Sequence, residues 1–184
     1  MQEVRTTLEE LVNSKSGLKQ ELDSIVSKEI SDFNEFKNSV NEFVQETELA
    51  KKAYDLFKSK KWILLEELIQ ENNLNGGYPP NQGSFNVEEI ILNAGKEIDR
   101  YGGWIDENGI FRDKGKFVSP KGISFESRSL KSKGIYNVYE VIKPIKMVKK
   151  ATVIPWYGKV GLGIQYELPA NIEDLIKNGY LKLK

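Results

Sequence analysis

The chain is predicted to be α+β: an N-terminal helical segment, a hairpin or coiled-coil arm, leads into a unit of mostly antiparallel small sheets with short helices. Three observations predict this. Apolar residues recur three and four apart through residues 1–70. The run Asn72-Asn73-Leu74-Asn75-Gly76-Gly77 is the sharpest change of composition in the chain. Beyond it, short β-rich runs are bounded by Gly, Pro, Asn and Asp. The division therefore falls between residues 1–72 and 73–184. At 184 residues and 39% apolar, the chain has room for one ordinary domain with an appendage, or two small ones.

In the first segment the helical period is carried by Leu8, Leu11, Leu18, Leu22 and Ile25, then by Phe33, Phe36, Val40, Phe43, Ala50, Tyr54 and Phe57. No proline precedes Pro79 and Gly17 is the sole early glycine, so little there interrupts a helix. Breaks are expected at Ser14 to Gly17 and at Ser31-Asp32, where Ser31 would cap a second helix with Asn34 and Glu35 in its first turn. A further helix, Trp62 to Ile69, ends at the Asn/Gly run. The apolar stripe is either core or a docking face for another protein, and the segment holds no chemical cluster.

In the second segment Tyr136 to Val141, Lys146 to Ile154 and Gly163 to Leu168 read as strands, being rich in β-branched and aromatic residues. Asn171 to Asn178 reads as a short helix capped by Asn171 and closed by Gly179.

Composition excludes much chemistry. With neither cysteine nor histidine, disulfides, thiol nucleophiles, imidazole bases and thiolate or imidazole metal sites are ruled out, and no metal is expected. Any catalysis must run on carboxylates, amides, hydroxyls, Arg and Lys. Lys/Arg and Asp/Glu balance at 27 each, but residues 1–70 hold 10 against 14 and residues 71–184 hold 17 against 13. A modestly basic second half suits an anionic ligand and falls short of a nucleic-acid-binding face. No run approaches the roughly 18 apolar residues of a membrane span, and Met1 to Glu10 lacks the layout of a signal peptide. Export, if it occurs, is expected to use another route.

The second segment also carries specific blocks. They are Gly77-Tyr78-Pro79-Pro80-Asn81-Gln82-Gly83, Ile98-Asp99-Arg100-Tyr101-Gly102, Phe117-Val118-Ser119-Pro120-Lys121-Gly122 and Phe125-Glu126-Ser127-Arg128-Ser129-Leu130. Tyr139-Glu140-Val141 and Pro155-Trp156-Tyr157-Gly158 follow, the last leading to Gly161-Leu162-Gly163-Ile164-Gln165-Tyr166. In this order and spacing they resemble the tuberculosis necrotizing toxin family, NAD glycohydrolases at the C-termini of exported bacterial toxins. The resemblance spans residues 75–184. It implies a fold like that of ADP-ribosyltransferases and NAD glycohydrolases, and cleavage of the nicotinamide–ribose bond of NAD to give ADP-ribose and nicotinamide. NAD is then substrate and no cofactor is implied; whether NADP also serves is left open. Such chemistry needs no histidine in principle, because nicotinamide leaves as a neutral molecule and the developing oxocarbenium charge is that of glycoside hydrolysis.

By the resemblance, Gln165, Arg100 and Asn137 occupy catalytic positions, and Arg128, Tyr101, Ser119, Trp156, Tyr157 and Gly163 substrate-binding ones. Arg100 and Arg128 suit a pyrophosphate clamp, since a guanidinium offers paired donors to phosphate oxygens; the alternative is a surface salt bridge with nearby Asp99 or Glu126. The Gln165 amide can donate to a ribose hydroxyl and accept from water, and Gly161 and Gly163 would let a ligand approach the backbone. Otherwise it is an outward polar residue of a strand. Tyr101, Trp156 and Tyr157 either stack on a ring of the dinucleotide or form core lids. Tyr78-Pro79-Pro80 shapes a turn, and Glu126 and Glu140 read as solvated carboxylates.

The chain departs from the family pattern twice. Asn137 stands where relatives often carry a histidine that assists turnover, and Lys159-Val160-Gly161-Leu162-Gly163 replaces a Gln-Pro and glycine run. The resemblance further implies a secreted toxin acting in a target cell's cytoplasm, a cognate immunity protein, and export by type VII secretion with chaperones engaging residues 1–72, the segment that in many relatives is an LXG region. ADP-ribosyl transfer to another acceptor, or an inactive NAD-binding module, are the alternatives.

Overall fold

The computed structural model describes residues 2–184, with side chains described from Ser14 onward. Three helices come first: α1 (Gln2–Asn38), α2 (Thr47–Lys58) and α3 (Trp62–Glu71), with a 3-10 turn at Asn41–Val44 between α1 and α2. Nine strands follow: β1 (Ser84–Leu92), β2 (Glu97–Tyr101), β3 (Trp104–Ile105), β4 (Phe111–Arg112), β5 (Phe117–Pro120), β6 (Tyr136–Val141), β7 (Ile145–Val153), β8 (Ile164–Glu167) and β9 (Leu181–Leu183). A short helix, α4 (Ile172–Lys177), lies before β9. The α+β reading holds.

Helix α1 corrects two expectations, since it runs unbroken through both Ser14 to Gly17 and Ser31-Asp32. A glycine inside a helix costs only about 1 kcal/mol, and a 37-residue helix absorbs that. No cap is needed at Ser31 because Phe33 and Phe36, just beyond it, are fixed by aromatic contacts with Tyr54 at 5.4 and 5.3 Å and by Phe36 with Phe57 at 5.0 Å. The chain turns after Asn38 instead, where the Ser39 hydroxyl donates to the Phe36 carbonyl.

The core formed by Phe36, Val40, Phe43, Tyr54, Leu65 and Ile69 does not stop at the composition change. Leu74, Ile154 and Trp156 belong to it, and the fully buried Trp156 donates from Nε1 to the Gly77 carbonyl at 3.0 Å. Burying an indole among helical residues ties the two segments together through apolar area.

Seven strands form one antiparallel sheet in the order β1-β7-β8-β5-β2-β6-β9, and β3-β4 is a separate hairpin. Residue β6 bounds fall where the sequence placed them, and β7 and β8 within one residue. Asn171 caps α4 by accepting from the Asp174 amide at 2.9 Å, and Gly179 follows the helix at φ 71°. Strand β1 had no clear sequence signal: its middle, Asn86 to Glu89, is exposed, as suits an edge strand whose register with β7 shifts twice.

Register decides which residues share a face. Asp99 pairs with Ser119, Val118 with Tyr166, and Ala151 with Gln165. Side chains alternate along each strand, so Asp99, Ser119, Gln165 and Ala151 lie on one face. Arg100, Asn137, Ile98, Tyr139, Val118 and Tyr166 lie on the other, where α4 packs on the second core cluster of Ile98, Val118, Tyr139, Leu168, Ile172 and Leu175.

Candidate active site

On the first face, Gln165 is half-buried in the wall of a cavity of about 710 Å³. The sheet contributes Phe117, Lys149, Ala151, Gln165 and Glu167. The turn before β1 contributes Asn81 and Gln82, the start of β1 contributes Ser84, and the last turns of α1 contribute Ser31, Asn34, Glu35 and Asn38. The Gln165 amide nitrogen donates to the Ser84 hydroxyl at 3.2 Å. Its amide oxygen and second N–H have no protein partner among the described residues, and so remain available to a ligand. Glu167 and Glu35 bring carboxylates to the cavity, and its one lysine, Lys149, is already paired with Glu167 at 3.4 Å.

Arg100 and Asn137 are brought together, in register, on the opposite face. Arg100 Nε lies 3.1 Å from a carboxylate oxygen of the buried Asp113, and Nη1 donates to the Phe117 carbonyl at 3.3 Å. The guanidinium is wedged between two glycines: a Cβ on Gly102 would lie 2.1 Å from Nη2, and one on Gly115 only 1.5 Å from Nη1. Asp113 also accepts from the Tyr139 hydroxyl at 2.8 Å and from the Gly115 amide at 3.0 Å. Burial, followed by that carboxylate hydrogen bond, raises the Tyr139 phenol far above its ordinary range. The Asn137 amide donates to the carbonyls of Gly102 and Ile135 at 3.1 and 3.2 Å, bracing the turn that cradles Arg100.

Arg128 is buried and nearly saturated. It donates to the Asp99 carboxylate at 2.5 Å, to the Ile123 carbonyl from both Nε and Nη2, and to the Asp99 carbonyl from Nη1. Four of its five N–H groups are thus committed inside the protein, in a buried pair with Asp99 rather than a salt bridge on the surface. Asp99, fully buried, also accepts from the Tyr136 hydroxyl at 2.7 Å and the Gly122 amide at 3.1 Å. That bond to Asp99, then burial, pushes the Tyr136 phenol up to about 12. Tyr101 packs against Phe125 and Tyr136, with the Arg128 guanidinium 5.1 Å and the Lys133 ammonium 5.5 Å from its ring centre.

The remaining sequence-named residues are built into the frame. Trp156 is core. Tyr157 is half-buried against the same core at φ 55°, its hydroxyl buried without a partner and pushed up to about 12 first by burial. Ser119 is buried opposite Asp99. Gly163 approaches closely its own chain: its amide donates to the Ser127 carbonyl at 2.9 Å, and a Cβ there would lie 2.6 Å from that oxygen.

Sequence reasoning missed Ser84, Glu167, Glu35 and Asp113. Glu167 was within reach, since it lies two residues beyond Gln165 and so on the same strand face. Asp113, in a charged turn, and Glu35, on a helix, gave no such signal.

The architecture is thus that of an α+β domain whose antiparallel sheet offers a polar, ligand-sized cavity beside a helical arm. The family model described as tuberculosis necrotizing toxin matches residues 91–183, half of the chain, and the chain belongs to that family. It is also similar to the conidial surface nicotinamide adenine dinucleotide glycohydrolase nadA of Aspergillus fumigatus, at 30% identity over 122 residues. That alignment covers 57% of this chain and 48% of the fungal protein, so the chain spans about half the length of that curated relative. Among solved structures, it is similar to tuberculosis necrotizing toxin complexed with its immunity factor, with TM-score 0.44, 23% identity, and 58% of this chain and 60% of the other covered. It is also similar to Tse6 in complex with Tsi6, with TM-score 0.39, 13% identity, and coverage of 55% and 76%. No described helix is long and apolar enough to cross a membrane.

Proposed function

We infer that the chain is the NAD-hydrolysing part of a bacterial toxin, with Gln165 as the residue that meets the scissile nicotinamide riboside. One observation carries this reading. The glutamine that the family resemblance makes essential stands in the wall of a cavity within the roughly 300–1,000 Å³ typical of ligand pockets, with its amide oxygen uncommitted. The fungal relative is a nicotinamide adenine dinucleotide glycohydrolase, which supports the same substrate.

The chemistry follows from the lining. The bond from the ribose anomeric carbon to the nicotinamide nitrogen breaks, its electron pair leaves with nicotinamide, and positive charge passes to the ribose. Glu35 and Glu167 give the cavity the sign that stabilises such a cation. Gln165 holds a ribose hydroxyl and the incoming water, which bonds to the anomeric carbon and releases its proton to solvent. Neither a metal nor an added cofactor enters this scheme. In this scheme the two arginines support the frame and do not touch the reacting riboside: Arg100 stands on the opposite sheet face against Asp113, and Arg128 serves the Asp99 network. In the same reading the toxin is exported, acts in a target cell's cytoplasm by depleting NAD, and is held in check in the producer by an immunity protein.

The test is release of nicotinamide and free ADP-ribose from NAD by the purified chain, with Gln165→Ala and Asn137→His beside it. Equal amounts of both products are expected, with release lost in Gln165→Ala. Turnover by Asn137→His should stay within a few-fold, because Asn137 lies on the sheet face away from the cavity. Silence of both the chain and Asn137→His would overturn the reading, and label transferred to protein without free ADP-ribose would make it a transferase.

A further inference from the structure

We propose that the last turns of α1, through Asn34, Glu35 and Asn38, are a substrate-recognising wall of the Gln165 cavity, so that the helical segment is part of the binding site for the nicotinamide riboside half of the dinucleotide. This rests on the hydrolase reading for the identity of the ligand. The wall lies outside the matched residues 91–183.

Three observations converge. First, Ser31, Asn34, Glu35 and Asn38 recur at helical spacing on one side of α1, all polar and all lining the same cavity as Gln165, Ala151 and Glu167. The same stretch of helix commits Phe33, Phe36 and Val40 to the helical core. The helix is therefore held by its apolar face and presents its polar face to the cavity.

Second, hydrogen bonds fix α1 relative to Gln165. The Asn81 amide donates to the Ser39 hydroxyl at 2.9 Å, the Asn81 side chain donates to the Ser84 carbonyl at 2.8 Å, and Ser84 accepts from Gln165. Helix end, turn and glutamine thus form one connected frame around the cavity.

Third, the lining chemistry selects an end of the substrate. Two carboxylates and a lysine already paired to one of them leave the cavity without a free cation for a diphosphate among its lining residues. The oxidised nicotinamide ring is cationic, and its carboxamide and ribose hydroxyls match the donors and acceptors of two asparagines. The cationic half of NAD therefore enters this cavity, and the diphosphate stays outside it.

The test is steady-state hydrolysis of NAD by the full chain, joined to calorimetric binding of NAD, NADH and ADP. Asn34→Ala/Asn38→Ala, at two exposed positions, should raise KM about tenfold with kcat little changed, the size expected for two ordinary hydrogen bonds, and leave Tm and ADP binding as they were. Glu35→Gln should shrink the preference for cationic NAD over neutral NADH. If the chain cleaves NAD and these variants keep its KM and its NAD/NADH preference, the wall is refuted while the hydrolase reading stands. If the chain binds NAD without cleaving it and the variants lose that binding, the wall stands and the hydrolase reading falls. If NAD is neither bound nor cleaved, both fall.

Discussion

The side-chain amide of Gln165 on β8 is held by the hydroxyl of Ser84 at the start of β1, 81 positions earlier in the chain and 3.2 Å away. The bond spans an intervening strand, β7, and fixes the one glutamine of the cavity's sheet wall by a residue that is itself buried. Ser84 is thus a positioning residue. Ser84→Ala should lower kcat for nicotinamide release several-fold, the effect of one neutral hydrogen bond of about 0.5–1.5 kcal/mol, whereas Gln165→Ala should abolish it. Ser84→Thr, which keeps the hydroxyl, should recover part of the loss.

Breaking the Arg128–Asp99 pair from either side should destabilise the fold more than it weakens ligand binding. Both groups are buried, and removing one leaves the other uncompensated, a loss of about 3–5 kcal/mol. Urea denaturation of Arg128→Ala and Asp99→Asn checks this. A stable Arg128→Ala variant with a raised KM would instead show that the arginine serves substrate.

Gly115→Ala should act through Arg100. Its Cβ would lie 1.5 Å from the guanidinium, forcing it off the Asp113 carboxylate. The expected loss is about 1–3 kcal/mol, the penalty of an impaired buried polar contact. A double-mutant cycle with Arg100→Ala should be strongly non-additive, because once the side chain is gone the added methyl has nothing to strike.

Alkali should unfold the domain through three phenols that the fold holds protonated. Tyr136 and Tyr157 are raised to about 12, against an ordinary value of 10, and Tyr139 further. Between pH 10 and 12 the unfolded chain has shed these protons and the folded one has not, so their contribution is whole below pH 10 and falls as pH rises through 12. Ultraviolet titration at 295 nm, followed beside circular dichroism, should show tyrosines ionising together with unfolding. Tyr136→Phe should remove part of that dependence.

Local signals were legible because they act over a few residues. The period of Phe33 to Phe57, the Asn/Gly run after α3, the β-branched runs of β6 to β8 and the Asn171 cap with its Gly179 stop are each set by neighbouring backbone and side-chain chemistry. They fixed the α+β class, and the blocks from Gly77 to Tyr166 fixed the family. The overestimated breaks in α1 show the limit of the same reasoning: Gly17 costs too little to interrupt a 37-residue helix, and at Ser31 the packing of Phe33 and Phe36 just beyond it carries the helix on.

The sequence by itself determined the helical arm, the strand-rich second segment and the residue types from which any chemistry must be drawn. Only the tertiary structure decided that Arg100 and Gln165 face opposite sides of the sheet, that Asp113 pairs with Arg100 and Asp99 with Arg128, that Trp156 is core, and that α1 walls the cavity. The physical reason is register. A strand exposes alternate residues to opposite faces, and which residues then meet depends on hydrogen-bonded partners far along the chain, which no local pattern records.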